Sequence, residues 1–157
     1  MDRFIELVLR NYRSINELHL SSVTQMTTNG FNSVISLVKS IESLYLVGCN
    51  QINSIIFEQL FSSYSILKSV NLDDCIQVLD ADIINLSKNC KSLQSLSVFR
   101  YMNKLINLLL TGHIRCDKVT DAGLISLAEN SKELSSFAIS WNRNITSKGI
   151  QSLINLL

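Results

Sequence analysis

One spacing constrains this chain more than any other feature. Ile15, Ile41, Leu67 and Leu93 each open a similar stretch, and each stands 26 residues from the next. A fixed period in the range of about 20 to 50 residues marks a stack of supersecondary units, none of which can bury its apolar face alone. The stretches from Ile41 and from Leu67 share an L-x-x-L-x-L-x-x-C-x-x-I pattern, with Ile or Val allowed at the leucine places. Ile15 opens a related copy through Leu18, Leu20, Val23 and Met26. Leu134 opens a late copy through Phe137, Ile139, Asn142 and Ile145.

Leu93 to Leu134 spans 41 residues, which is 26 plus 15, so the fourth unit carries an insertion. The strand half of that unit (Leu93, Leu96, Val98) and its helical half (Val119 to Ala128) both look regular, which puts the insertion at about 102–115. A second register, with Leu105, Leu108 and Leu110 as the strand, stays open on sequence grounds. The insertion reads either as a partner-binding flap or as an extra element packed on the core.

Each unit carries two rhythms. Its first half alternates, with Leu44 and Leu46 inward and Ser43, Tyr45 and Val47 outward, the period of a strand. Its second half spaces apolar residues at i, i+3, i+4 and i+7, as in Phe31, Val34, Ile35 and Val38, or Phe57, Leu60, Phe61 and Tyr64, the period of a helix. Thr28, Ser54, Asp80, Asp121 and Ser147 fall in one column before the helices and are expected to cap them. Gly30, Gly123 and Gly149 share a column two residues on. Ile5, Val8, Leu9 and Tyr12 match the helical half of an earlier unit. The expected architecture is therefore α/β, a single solenoid domain over residues 1–157.

Composition narrows the function classes. Apolar residues make up 46% and charged residues 17%, as expected when every unit buries both a strand face and a helix stripe. No apolar run is long enough to span a membrane. The net charge is +1 with both signs interspersed, which argues against nucleic acid as a partner. The charged opening M-D-R-F-I-E-L-V-L-R does not read as a secretory signal, so a cytoplasmic or nuclear location is expected. Cys49, Cys75 and Cys116 fill one column and Cys90 another. None forms the close pairs that zinc sites use, so no metal and no cofactor is expected. No nucleophile-elbow, metalloprotease, phosphate-loop or dinucleotide pattern occurs, and the chain is not expected to be an enzyme.

The repeated L-x-x-L-x-L-x-x-C, followed by Cys116-Asp-Lys-Val-Thr-Asp-Ala-Gly-Leu-Ile-Ser-Leu-Ala128, resembles the cysteine-containing leucine-rich-repeat family. That class is found in F-box/leucine-rich-repeat proteins and in the antagonist of mitotic exit network protein. The resemblance implies a right-handed horseshoe with a concave parallel sheet and convex helices. It also implies a protein–protein interaction module, with substrate recognition in a ubiquitin-ligase-type assembly as the corresponding role. No F-box is read ahead of Ile15, where the chain departs from those relatives. The alternative is a structural or self-associating scaffold that uses its solenoid ends, such as the apolar Leu153, Ile154, Leu156 and Leu157.

On each strand, the residues between the inward leucines should face the concave side. The larger ones, Tyr45, Asn71, Asp73, Phe99, Arg100 and Trp141, form the expected partner-binding surface, because exposed aromatic residues and arginine are the usual anchors of interfaces.

Overall fold

The computed structural model describes residues 1–11, 15–99, 118–140 and 142–156. In chain order its elements are α1 (Asp2–Asn11), β1 (Glu17–His19), α2 (Thr28–Leu37), β2 (Ser43–Tyr45), α3 (Ser54–Ser63), β3 (Ser69–Asn71), α4 (Asp80–Asn89), β4 (Ser95–Val98), α5 (Asp121–Asn130), β5 (Ser136–Ile139) and α6 (Ser147–Ile154). The strands form one five-stranded parallel sheet in the order β1-β2-β3-β4-β5. Each helix packs on the helices of the neighbouring units.

Strand and helix alternate because the hydrophobic period alternates between 2 and 3.6. The central residue of each strand points to the core: Leu18, Leu44, Val70 and Leu96 are buried, while their strand neighbours are at least partly exposed. The register follows the sequence period. Leu18 pairs with Leu44, Leu44 with Val70, Val70 with Leu96, and Leu96 with Phe137. The last of these pairings selects the register with Leu93 as unit start. Ser95 sits beside Ser136, so the chain leaves the repeat after Phe99 and rejoins it by Lys118. The 102–115 insertion lies outside the described residues.

After each strand the chain must turn outward to reach its helix. Ser22 and Asp74 (both φ 57°) and Gly48 (φ 70°) adopt left-handed backbone there, again one period apart. Glycine takes that conformation without steric cost, whereas serine and aspartate tolerate it less readily.

Curvature follows from size. Neighbouring strands stand about 4.8 Å apart, whereas packed helices need about 8–10 Å between axes. A layer of helices joined unit by unit to a layer of strands therefore bends with the sheet inside. Between the layers runs a continuous core that includes Ile41, Phe57, Leu60, Leu67, Leu86, Leu93 and Leu127. Cys49 and Cys75 belong to it. Each thiol donates to a carbonyl of the preceding unit, Leu20 and Leu46 respectively, at 2.9 Å. Cys116 lies outside the described residues.

The helix starts correct one expectation. Thr28, Ser54, Asp80, Asp121 and Ser147 are the first helical residues, and the caps stand one place earlier, at Thr27, Asn53, Leu79, Thr120 and Thr146. The Thr27, Thr120 and Thr146 hydroxyls accept from the N–H two residues on, and the Asn53 side chain accepts from Ile56. Leu79 cannot cap. There the carboxylate of Asp82 reaches back to the Leu79 N–H at 2.8 Å.

The aspartates of the expected cap column act sideways, on the next unit. Asp80 accepts from the Thr120 N–H (2.8 Å), the Thr120 hydroxyl (2.6 Å) and the Gly123 N–H (3.0 Å). Asp121 accepts from the Thr146 N–H (2.8 Å) and hydroxyl (2.6 Å). Asp2, in the same column of the first helix, accepts from the Thr27 N–H (3.0 Å) and hydroxyl. The glycine column now has a reason. A Cβ on Gly123 would stand 2.7 Å from the Asp80 carboxylate, and one on Gly30 would stand 2.6 Å from that of Asp2. Only glycine lets the carboxylate of one unit seat on the helix start of the next.

Candidate partner-binding face

The register sets out the inner face as rows. One row runs Glu17, Ser43, Ser69, Ser95, Ser136. The next runs His19, Tyr45, Asn71, Ser97, Ala138. Because strands are about 4.8 Å apart, residues of one row touch across units although a whole repeat separates them in sequence.

Tyr45 is half-buried. Its ring stacks on that of His19, with centroids 4.1 Å apart and an interplanar angle of 4°. His19 is exposed and its Nε2 lies 3.1 Å from a carboxylate oxygen of Glu17. Three side chains from β1 and β2 thus form one exposed platform. Sequence reading placed His19 and Glu17 on this face without joining them to Tyr45. The signal was available, since His19 and Tyr45 lie one period apart on the same row.

Asn71 sits beside Tyr45 on β3 and is half-buried, and its Oδ1 accepts from the Asp73 N–H at 2.8 Å. Asp73 is 7% exposed. Its carboxylate accepts from the Ser97 hydroxyl (2.5 Å) and the Phe99 N–H (2.6 Å), so it ties the end of β3 to the end of β4. A carboxylate so committed shapes the face and has little left to offer a partner. Phe99 is half-buried at the end of β4. The structure therefore brings Tyr45, Asn71, Asp73 and Phe99 onto one continuous stretch of the inner face. Arg100 and Trp141 lie outside the described residues.

Other features bear on chemistry. Among the described residues no group of three or more His, Cys, Asp or Glu side chains is placed to hold a metal. No helix there is long and apolar enough to cross a membrane. Cys49, Cys75 and Cys90 are free and buried. Burial holds the Cys49 thiol above its ordinary pKa and pushes that of Cys90 up to about 12, so both rest as neutral thiols. On the helical side, Phe4, Leu7 and Val8 of α1 and Ile150 and Ile154 of α6 are exposed.

No family model matches the chain, and no curated protein matches it in sequence. Solved structures do match in shape. A chain of the crystal structure of the Rad7 and Elc1 complex in yeast superposes with a TM-score of 0.76 at 21% identity, over 99% of this chain. The C-terminal domain of tropomodulin from Caenorhabditis elegans superposes over 99% of this chain and 90% of its own, at 12% identity and a TM-score of 0.43. The present chain spans 37% of the length of the Rad7–Elc1 chain that it matches. The match agrees with the register and the two layers described above: the protein is a right-handed leucine-rich-repeat solenoid, with a concave parallel sheet and convex helices.

Proposed function

We propose that the chain is a protein-interaction module of the cysteine-containing leucine-rich-repeat class. Its inner face holds a protein partner, and its setting is substrate recognition in a ubiquitin-ligase-type assembly in the cytoplasm or nucleus. The observation that carries this reading is the inner face itself. A stacked His19–Tyr45 pair, Glu17, Asn71 and Phe99 stand on a rigid sheet whose far side is a closed core. Aromatic side chains held in fixed orientation lose little entropy on binding and supply the anchors of most interfaces. The ligase setting draws on the likeness to a chain of the Rad7–Elc1 complex, a protein that was crystallised with a partner. The role needs no reactive group, metal or cofactor.

The test is affinity purification from native cells, with mass spectrometry of the captured proteins, alongside Tyr45→Ala and Phe99→Ala variants whose folding is checked by circular dichroism. Ligase scaffold subunits are expected in the wild-type capture. Loss of one anchor should lower recovery of the direct partner by about tenfold or more. Undiminished capture by both folded variants would remove the inner face from the proposal. Absence of ligase subunits would remove the setting alone.

A further inference from the structure

A solenoid's stability is close to a sum of unit terms and nearest-neighbour interface terms, so its weakest interface decides where it first comes apart. The interfaces of this chain can be compared one by one. On the sheet side they are alike. Every junction keeps the same parallel register, and the Cys49 and Cys75 thiols make the same bond at the first two.

On the helix side they differ. Carboxylates bridge α1 to α2 through Asp2 and Thr27, α4 to α5 through Asp80 with Thr120 and Gly123, and α5 to α6 through Asp121 and Thr146. Between α3 and α4 the bridge is reversed. The acid, Asp82, stands on the later helix and accepts from Ser54 of the earlier one.

The α2–α3 junction has neither form. Thr28 occupies the acid place and Ile56, fully buried, occupies the glycine place. A branched side chain there holds the two helix starts apart. The outer surface at this junction opens into a groove of about 530 Å³ lined by Asn32, Ile35, Ile55, Glu58 and Gln59. Among the described residues, the side-chain bond between these two helices is at their far end, from the Tyr64 hydroxyl to the Val34 carbonyl at 3.1 Å. This is the most loosely packed helix junction in the layer.

We infer that the α2–α3 seam bounds a cooperative unit: α1, β1 and α2 open as one block from the rest of the solenoid, ahead of any other internal opening. The Asp2 bridge keeps α1 and α2 together while the seam lets both go.

Native-state amide hydrogen exchange on the intact chain tests this. The slowest amides of α1 and α2 should share a common opening, with protection about tenfold or more below that of α4 and α5, the worth of one charge-assisted bond network. A step should separate α2 from α3. Protection that declines smoothly from α3 through α2 to α1, or a first step at another junction, would overturn the inference. The Asp80→Ala variant supplies the reciprocal arm. With the bridge gone, a second step should appear between α4 and α5, and the protection of α5 and α6 should fall about tenfold. If α5 and α6 stay as protected as in the wild type, the bridges do not set the block boundaries and the inference fails. Should Asp80→Ala not fold, Thr120→Val removes the hydroxyl donor at similar volume and is read in the same way.

Discussion

Two kinds of aspartate occur in this chain, and their environments push them in opposite directions. Asp2 and Asp121 accept from the hydroxyls and then the N–H groups of Thr27 and Thr146, which hold their pKa values below the ordinary 3.8. Their contribution to stability is therefore present above about pH 4 and is lost as the pH falls through their folded-state values. Asp82 is 2% exposed, and burial raises its pKa against the bonds from Leu79 and Ser54. For that group the sign reverses. The fold favours the neutral acid, and the favourable contribution is lost as the pH rises through the raised value. Asp82→Asn keeps an acceptor for the Leu79 N–H and removes the buried charge. It should stabilise the protein by on the order of 1 kcal/mol at pH 7. The gain should vanish near pH 3, where the wild-type acid is already protonated. Urea unfolding at the two pH values measures both; a destabilised variant at pH 7 would show that the charge is favourable where it stands. Little of this was legible in the sequence. Asp80, Asp82 and Asp121 all read as helix-start acids, and nothing in the residue type says whether such a carboxylate faces its own helix, the next one or the core.

At the scale of the element, acid and glycine form one device split across two helices. Gly123→Ala would set a methyl group 2.7 Å from the Asp80 carboxylate, which its three bonds to the next unit hold in place. The substitution should destabilise by about 1–3 kcal/mol, although alanine is the better helix former by nearly 1 kcal/mol. In an Asp80→Ala background the obstruction is gone and the same change should be neutral or stabilising. A denaturation cycle of the four proteins reads the coupling directly; additive effects would show that the two positions do not communicate. Both columns were visible in the sequence, and so were the strand and helix halves, because burial imposes period 2 on one and period 3.6 on the other. What the columns were for was not visible. The expectation that Thr28, Ser54, Asp80, Asp121 and Ser147 cap their own helices missed by one residue, since threonine or asparagine one place earlier does the capping. The inner-face rows were equally legible from spacing, whereas the engagement of Asp73 with Ser97 and Phe99 was not. A carboxylate on an outward strand position reads as solvent-facing until its neighbour a repeat away is known to offer a hydroxyl and an N–H.

For the whole molecule the governing fact is that β1 to β5 pair strictly in chain order. Every junction is made by neighbours in sequence, and the 41-residue step from Ser95 to Ser136 shows that extra chain can leave and return without disturbing the pairing. Length is thus adjustable in whole rungs. Excising Glu42–Leu67, 26 residues, would join Ile41 to Lys68 and seat Ser69 where Ser43 had been. The shortened chain should fold to the same circular dichroism signature, with a urea m-value lower by roughly one-sixth in proportion to the surface exposed. A molten or unfolded product would mean that the rungs are not interchangeable. Such a chain would lose Tyr45, and with it the ring that His19 lies against. It would also lose its one unbridged seam, because Thr28 would come to stand where Ser54 does, with its hydroxyl beside Asp82. Shortening the ribbon by that rung would make it stiffer while leaving it unable to grip with the same hand.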